Sequence, residues 1–176
     1  MKVTQPLSLP LISTVVLVLG VVGFAISQNS PKATSSKTKP EGSNWVMPIL
    51  GKSRADVEKV LGKPKKVDGD SAFLEAVYER KGLRSVSVAY ARGKMNVMEI
   101  EFLAEPRDWR SALNTLNIPA SGVTAKPGRP GVFDLKGLKG LPAKWEATYF
   151  SVQTVDDGES KTTTPAKLSI SSPDAT

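Results

Sequence analysis

Cysteine and histidine are both missing from the 176 residues. Without cysteine there are no disulfides, no thiolate metal sites and no lipobox for lipid attachment. Without histidine the usual general base and the commonest zinc ligand are gone. Aromatic residues are sparse, at 6%. The basic clusters at Lys63, Lys65 and Lys66 and at Lys126, Arg129, Lys136, Lys139 and Lys144 hold no series of interleaved stacking aromatics, only Phe133, so a nucleic-acid surface is not expected. No G-x-S-x-G, phosphate-loop or dinucleotide fingerprint occurs. The expectation is a protein with no catalytic, cofactor-binding or metal-ligating residues.

What the chain does have begins with an uncharged run from Leu7 to Ile26. Its twenty residues are about the length of a bilayer-crossing helix. Lys2 supplies a short positive region, and Ala25-Ile26-Ser27 is a small-x-small cleavage site. Two readings of residues 1–27 stay open: an uncleaved signal anchor, or a signal peptide removed after Ser27. Lys32, Lys37 and Lys39 follow the span and pull against export by the positive-inside rule. The order of the three leader regions favours an exported C-terminal part. Residues 28–44 contain no large apolar side chain and read as a disordered linker. The formal charge is +7. The lysines of residues 1–44 account for part of it, leaving a modest excess that suits solubility or attraction to an anionic surface.

The first folded unit, 45–104, is organised around Ile49–Pro64. Gly51 precedes Ser53, a good N-cap, and Asp56 lies in the first turn where the helix dipole favours it. Val57, Val60 and Leu61 form one apolar stripe. Gly62 and Pro64 end the helix. Such a short helix must pack on something, so Leu61→Asp is expected to unfold the domain. Phe73–Lys81, Ser85–Ala91 and Met95–Leu103 alternate as strands, with Arg92-Gly93-Lys94 as a tight turn. Residues 105–172 form a second α+β unit or an extension of the first. They contain a helix from Glu105 to Ile118 and strands at Val132–Leu138, Trp145–Thr154 and Ala166–Ser171. The fold class expected is α+β, short helices on an antiparallel meander. Two tandem units are an alternative, because Leu61 and Pro64 recur in register at Leu116 and Pro119.

The segment G-K-S-R-A-D-V-E-K-V-L-G-K-P, the Val77-Tyr78 strand, V-x-V-x-Y followed by R-G-K, and V-M-E-I together resemble the SmpA/OmlA (BamE-like) domain. That domain is akin to the beta-lactamase-inhibitor-protein fold. The resemblance covers Ile49 to Phe102. It implies a small helix-plus-sheet domain of the bacterial envelope that binds protein or lipid. Only structural positions map onto it: Gly51, Ser53, Val57, Leu61, Gly62 and Pro64.

Isolated chemistry is explained more simply. Glu99 and Glu101 stand about 6–7 Å apart on one strand face, the spacing of a carboxylate pair, but opposite the apolar face and therefore on solvated surface. Asp68, Asp70 and Asp156-Asp157-Gly158-Glu159 lack calcium-loop spacing. Lys52-Ser53 is a cap rather than a nucleophile pair. Trp45, Trp109 and Trp145 read as core or rim anchors. The functional expectation is a non-enzymatic, membrane-tethered envelope protein, held by its N-terminal helix, that binds a protein partner or anionic lipid in envelope assembly or maintenance. Its alternatives are a secreted inhibitor or interaction protein and a hydrolase with an unrecognised site.

Overall fold

The computed structural model describes residues 42–156 and 161–175. The chain enters through Trp45–Leu50, an apolar lead-in containing a 3-10 turn at Met47–Ile49. Asn44 Oδ1 starts that turn by accepting from the amides of Val46 and Met47, at 3.1 and 3.3 Å. Helix α1 follows at Arg54–Leu61, then β1 (Lys66–Gly69), β2 (Phe73–Tyr78), β3 (Leu83–Ala91) and β4 (Lys94–Phe102). Helix α2 (Trp109–Thr115) leads into β5 (Thr124–Pro127), β6 (Val132–Lys136) and β7 (Glu146–Phe150). A two-stranded ribbon, β8 (Gln153–Asp156) and β9 (Lys161–Thr164), precedes β10 (Lys167–Ser171).

The expectation of short helices over a three-stranded meander is corrected by the sheet itself. One eight-stranded antiparallel sheet runs β1-β2-β3-β4-β10-β7-β6-β5 and dominates the described residues, which hold only two short α-helices. The outer edge of β4 is not free. It pairs with β10, which pairs on its other side with β7. The strands of the two stretches read as separate units therefore share one ladder. One apolar row crosses the joint as Tyr78–Val86–Ile100–Leu168–Tyr149–Phe133. A second crosses it as Ala76–Val88–Met98–Ile170–Ala147–Leu135. Continuous rows of this kind bury a single core rather than two. Val57 of α1 and Trp109, Ala112 and Leu113 of α2 belong to that same core.

Both edge strands lie where the sequence suggested only turn or loop. The stretch Lys65–Asp70 contains β1, and Ala120–Gly131 contains β5. Each is mostly polar and has Gly or Pro at its end, the composition that protects an exposed sheet edge from pairing with another chain. The expected strand Trp145–Thr154 is broken after Phe150, where the Ser151 amide turns away to donate to Gly131 O at 2.8 Å. Helix α2 begins later than expected. Asp108 caps it, accepting from the Ser111 amide at 2.8 Å.

Two tyrosines meet inside the core. The hydroxyls of Tyr78 and Tyr90 meet at 2.9 Å beneath α1. Burial pushes both phenols above the ordinary value, and it does the same to Tyr149. These are all the tyrosines of the chain. A phenol whose pKa is raised on folding contributes stability that is intact below about pH 10, its unfolded value, and fades as pH rises above it. Spectrophotometric titration should therefore show no tyrosine ionising near pH 10 in the folded protein. All three should ionise together in one step as the fold is lost. Tyr90→Phe leaves the Tyr78 hydroxyl buried without a partner and should cost about 1–2 kcal/mol. Adding Tyr78→Phe should recover part of that loss in denaturant unfolding.

Candidate functional site

An open cleft of about 930 Å³ lies at one end of the sheet. Four pieces of chain converge there: Gly51 before α1, the β3–β4 turn with the start of β4, the loop before β7 and the segment after β10. The turn comes first. Ala91 pairs with Lys94, so Arg92 and Gly93 alone make the reversal, with φ of 50° and 74°. Positive φ at both central residues is the type I′ hairpin turn, which matches strand twist and favours Asn, Asp or Gly at its first position. Arg92 takes that position instead.

A β-bulge follows immediately. Ala89 pairs with Val97 but Tyr90 pairs with Met95, leaving Asn96 as the extra residue. A bulge bends its strand and re-aims a side chain. Here Asn96 lines the cleft, and its Oδ1 is shielded from solvent with no hydrogen-bond partner among the described residues. The backbone around it is well tied. Asn96 O accepts from the Ser172 amide at 2.8 Å, and the Met95 amide donates to Lys52 O at 2.9 Å. That second bond brings Gly51 to the cleft wall. A Cβ built on Gly51 would sit 3.6 Å from Trp145 Cζ2, so the indole ring packs over this turn.

The chemistry of the lining is mainly donation. Arg92 and Lys94 carry positive charge and Asn96 an amide, while Asp174 is the one carboxylate. Neither Arg92 nor Lys94 makes a side-chain ion pair among the described residues. Trp145, Met95, Ala91, Ala143 and Pro173 supply apolar surface. The lining thus sets a partly buried indole beside two cations that make no ion pair among the described residues.

The residues singled out in the sequence are mostly elsewhere. Ser53 Oγ accepts from the Asp56 amide at 3.3 Å and donates to Asp56 Oδ2 at 2.8 Å. Val57 is buried, Leu61 only partly so, Pro64 lies half-buried, and Gly62 ends α1 with φ of 86°. Of that motif only Gly51 reaches the cleft. Glu99 and Glu101 do lie on the open sheet face but are engaged there. Lys167 Nζ donates to Glu99 Oε1 at 2.9 Å, and Ser85 Oγ donates to Glu101 Oε2 at 3.2 Å. Asp70 accepts from the amides of Ala72 and Phe73, which holds its carboxyl below the usual range. Asp68 is paired with Lys66, which lowers its pKa too. Residues 157–159 lie outside the described residues. Trp45 and Trp109 are buried under the guanidinium groups of Arg80 and Arg110.

Sequence reasoning did not find the cleft. Arg92 and Lys94 read only as turn residues, and Asn96 as a polar strand position. One signal was available. Met95 and Met98 are both buried, three residues apart in a strand whose faces alternate every two, and that spacing requires an extra residue between them.

No protein-family model matches the chain, and no curated protein matches it. Among solved structures it is similar to an extracellular protein containing a SCP domain from Bacillus anthracis. The identity is 11% and the TM-score 0.41, covering 78% of this chain and 48% of that one. It is also similar to a cysteine-rich secretory protein from Staphylococcus aureus, at 12% identity and a TM-score of 0.41, covering 77% of this chain and 49% of that one. The chain thus spans about half the length of each. The resemblance to the SmpA/OmlA and beta-lactamase-inhibitor-like proteins is corrected on other grounds: no family model supports it, and one eight-stranded sheet stands in place of the helix-on-meander unit it implied. Membrane attachment by an N-terminal helix is corrected as well. No helix among the described residues is long and apolar enough to cross a membrane, and the 7–26 run lies outside them.

Proposed function

We propose that this chain is an exported, non-catalytic binding module that recognises a protein partner through the cleft at Arg92, Lys94, Asn96 and Trp145. One observation carries the reading: two cations and an amide, all without side-chain partners among the described residues, line the same opening as a half-exposed tryptophan. Groups left uncommitted on a rigid frame of turn, bulge and sheet are what a binding site needs. Export is supported by the leader-like order of residues 1–27, with release after Ser27.

The test uses a photo-crosslinking residue at Ala143, exposed on the cleft wall, and a control at Glu75, exposed on β2. In cells making the full chain, Ala143 should give a discrete crosslinked protein species that Glu75 does not. Equal labelling from both positions, or none from Ala143, overturns the reading. The released protein should begin at Gln28 by mass spectrometry.

A further inference from the structure

We propose that the cleft takes a carboxylate carried beside a bulky apolar side chain, the chemistry of a peptide's C-terminal end. This rests on the reading above that the cleft receives a protein partner, and it specifies which part of that partner enters.

Three observations converge. The first is the turn. Arg92 has φ of 50°, a backbone region that L-residues other than Asn and Asp adopt at a cost. The type I′ turn it occupies is served better by Asn or Gly. Its guanidinium makes no ion pair among the described residues, so the fold gains nothing visible from its charge. Backbone strain of this kind, held by the surrounding structure, is found where a side chain must be presented. A guanidinium fork presented in this way matches a carboxylate bidentately.

The second is Asn96. The bulge sets its side chain into the cleft wall beside Lys94 on the same strand, with Oδ1 accepting no hydrogen bond among the described residues. Arg92, Lys94 and Asn96 thus bring a fork, a point charge and an unpartnered amide acceptor to one place, the first two suited to a carboxylate and the last to a peptide N–H. The third is the balance of charge. Two cations against the single carboxylate of Asp174 leave one positive charge in excess. That suits a monoanion better than a dianionic phosphate. The Trp145 ring and Met95 then offer an apolar wall for the terminal side chain. Capture of a chain end by converging donors is an established mode of peptide recognition.

The full chain is titrated, by fluorescence anisotropy, with a dye-labelled glycine–serine octapeptide ending in phenylalanine with a free carboxylate. The same peptide with a C-terminal amide is the first comparison. An amidated peptide with internal Glu-Phe is the second, and inorganic phosphate serves as competitor. The free acid should bind about tenfold or more tightly than either amidated peptide, as expected for loss of a charge-assisted bidentate contact. Arg92→Asn and Lys94→Gln should each remove most of that difference. Arg92→Asn should melt at or above the parent temperature, because asparagine suits the turn, so its loss of binding cannot be put down to unfolding. Equal binding of acid and amide overturns the proposal. So does an internal Glu-Phe peptide that matches the acid, or displacement by phosphate at concentrations where chloride has no effect. A crosslink at Ala143 that survives such a result would leave the binding reading standing without this one. Acid-selective binding with no crosslink would do the reverse.

Discussion

Val57→Asp is expected to abolish cooperative unfolding altogether, while Leu61→Asp leaves a folded protein with a lowered melting temperature. Val57 has no solvent exposure and lies in the core that both helices share with the sheet. A carboxylate there has no route to water and no cation within the core, where no charged residue is buried among those described. Burying an unpaired charge costs several kcal/mol even after the group neutralises itself. Domains of this size hold only about 5–15 kcal/mol in reserve. Leu61 is different. It is the last residue of α1, only partly buried, and followed by the Gly62 cap. An aspartate there can turn outward, losing packing and setting a negative charge at the unfavourable end of the helix, about 1–3 kcal/mol together. Circular dichroism melts of both variants decide it. A cooperative melt for Val57→Asp would mean that α1 does not pack as described.

Removing β10 should be as damaging as any core substitution. A chain ended after Pro165 loses only the last eleven residues of the sequence. Yet β10 lies between β4 and β7, and Leu168 and Ile170 are both fully buried. Loss of those two side chains alone forfeits about 3–6 kcal/mol. Two inner strand edges, each with an unsatisfied ladder, would also be opened to water and to other chains. The shortened protein should show no cooperative transition and should aggregate. Adding the separate peptide 166–176 should restore part of the sheet signal. A truncated chain that melts cooperatively near the parent temperature would contradict the topology. Leu168→Asp in the full-length chain checks the same joint without removing backbone.

The uneven legibility of this fold has physical reasons. The cap at Ser53, and β3 and β4 with their strict alternation, were readable because local chemistry or half-burial imposes them whatever else is present. Edge strands were not, since the charges that protect Lys66–Gly69 also hide it among turns. Least accessible was the partnership of β4 with β10. The Glu99–Lys167 pair joins residues 68 apart in sequence, and nothing in either segment names the other. The cleft has the same problem. Gly51, Arg92, Trp145 and Asp174 come from four separate stretches, and only the completed sheet end collects them. Trp145 was visible as an anchor, and the spacing of Met95 and Met98 pointed at the bulge. That Arg92 carries an uncommitted charge could be seen only once its neighbours were placed.

The strand that closes the middle of the sheet is also the last of its strands along the chain. During synthesis, then, the flank running from β1 to β4 and the flank running from β5 to β7 each wait with an open side until β10 has been made. Such long-range closure comes late and cannot be anticipated by either half alone. A nascent chain of this design keeps both flanks unzipped until its tenth strand emerges.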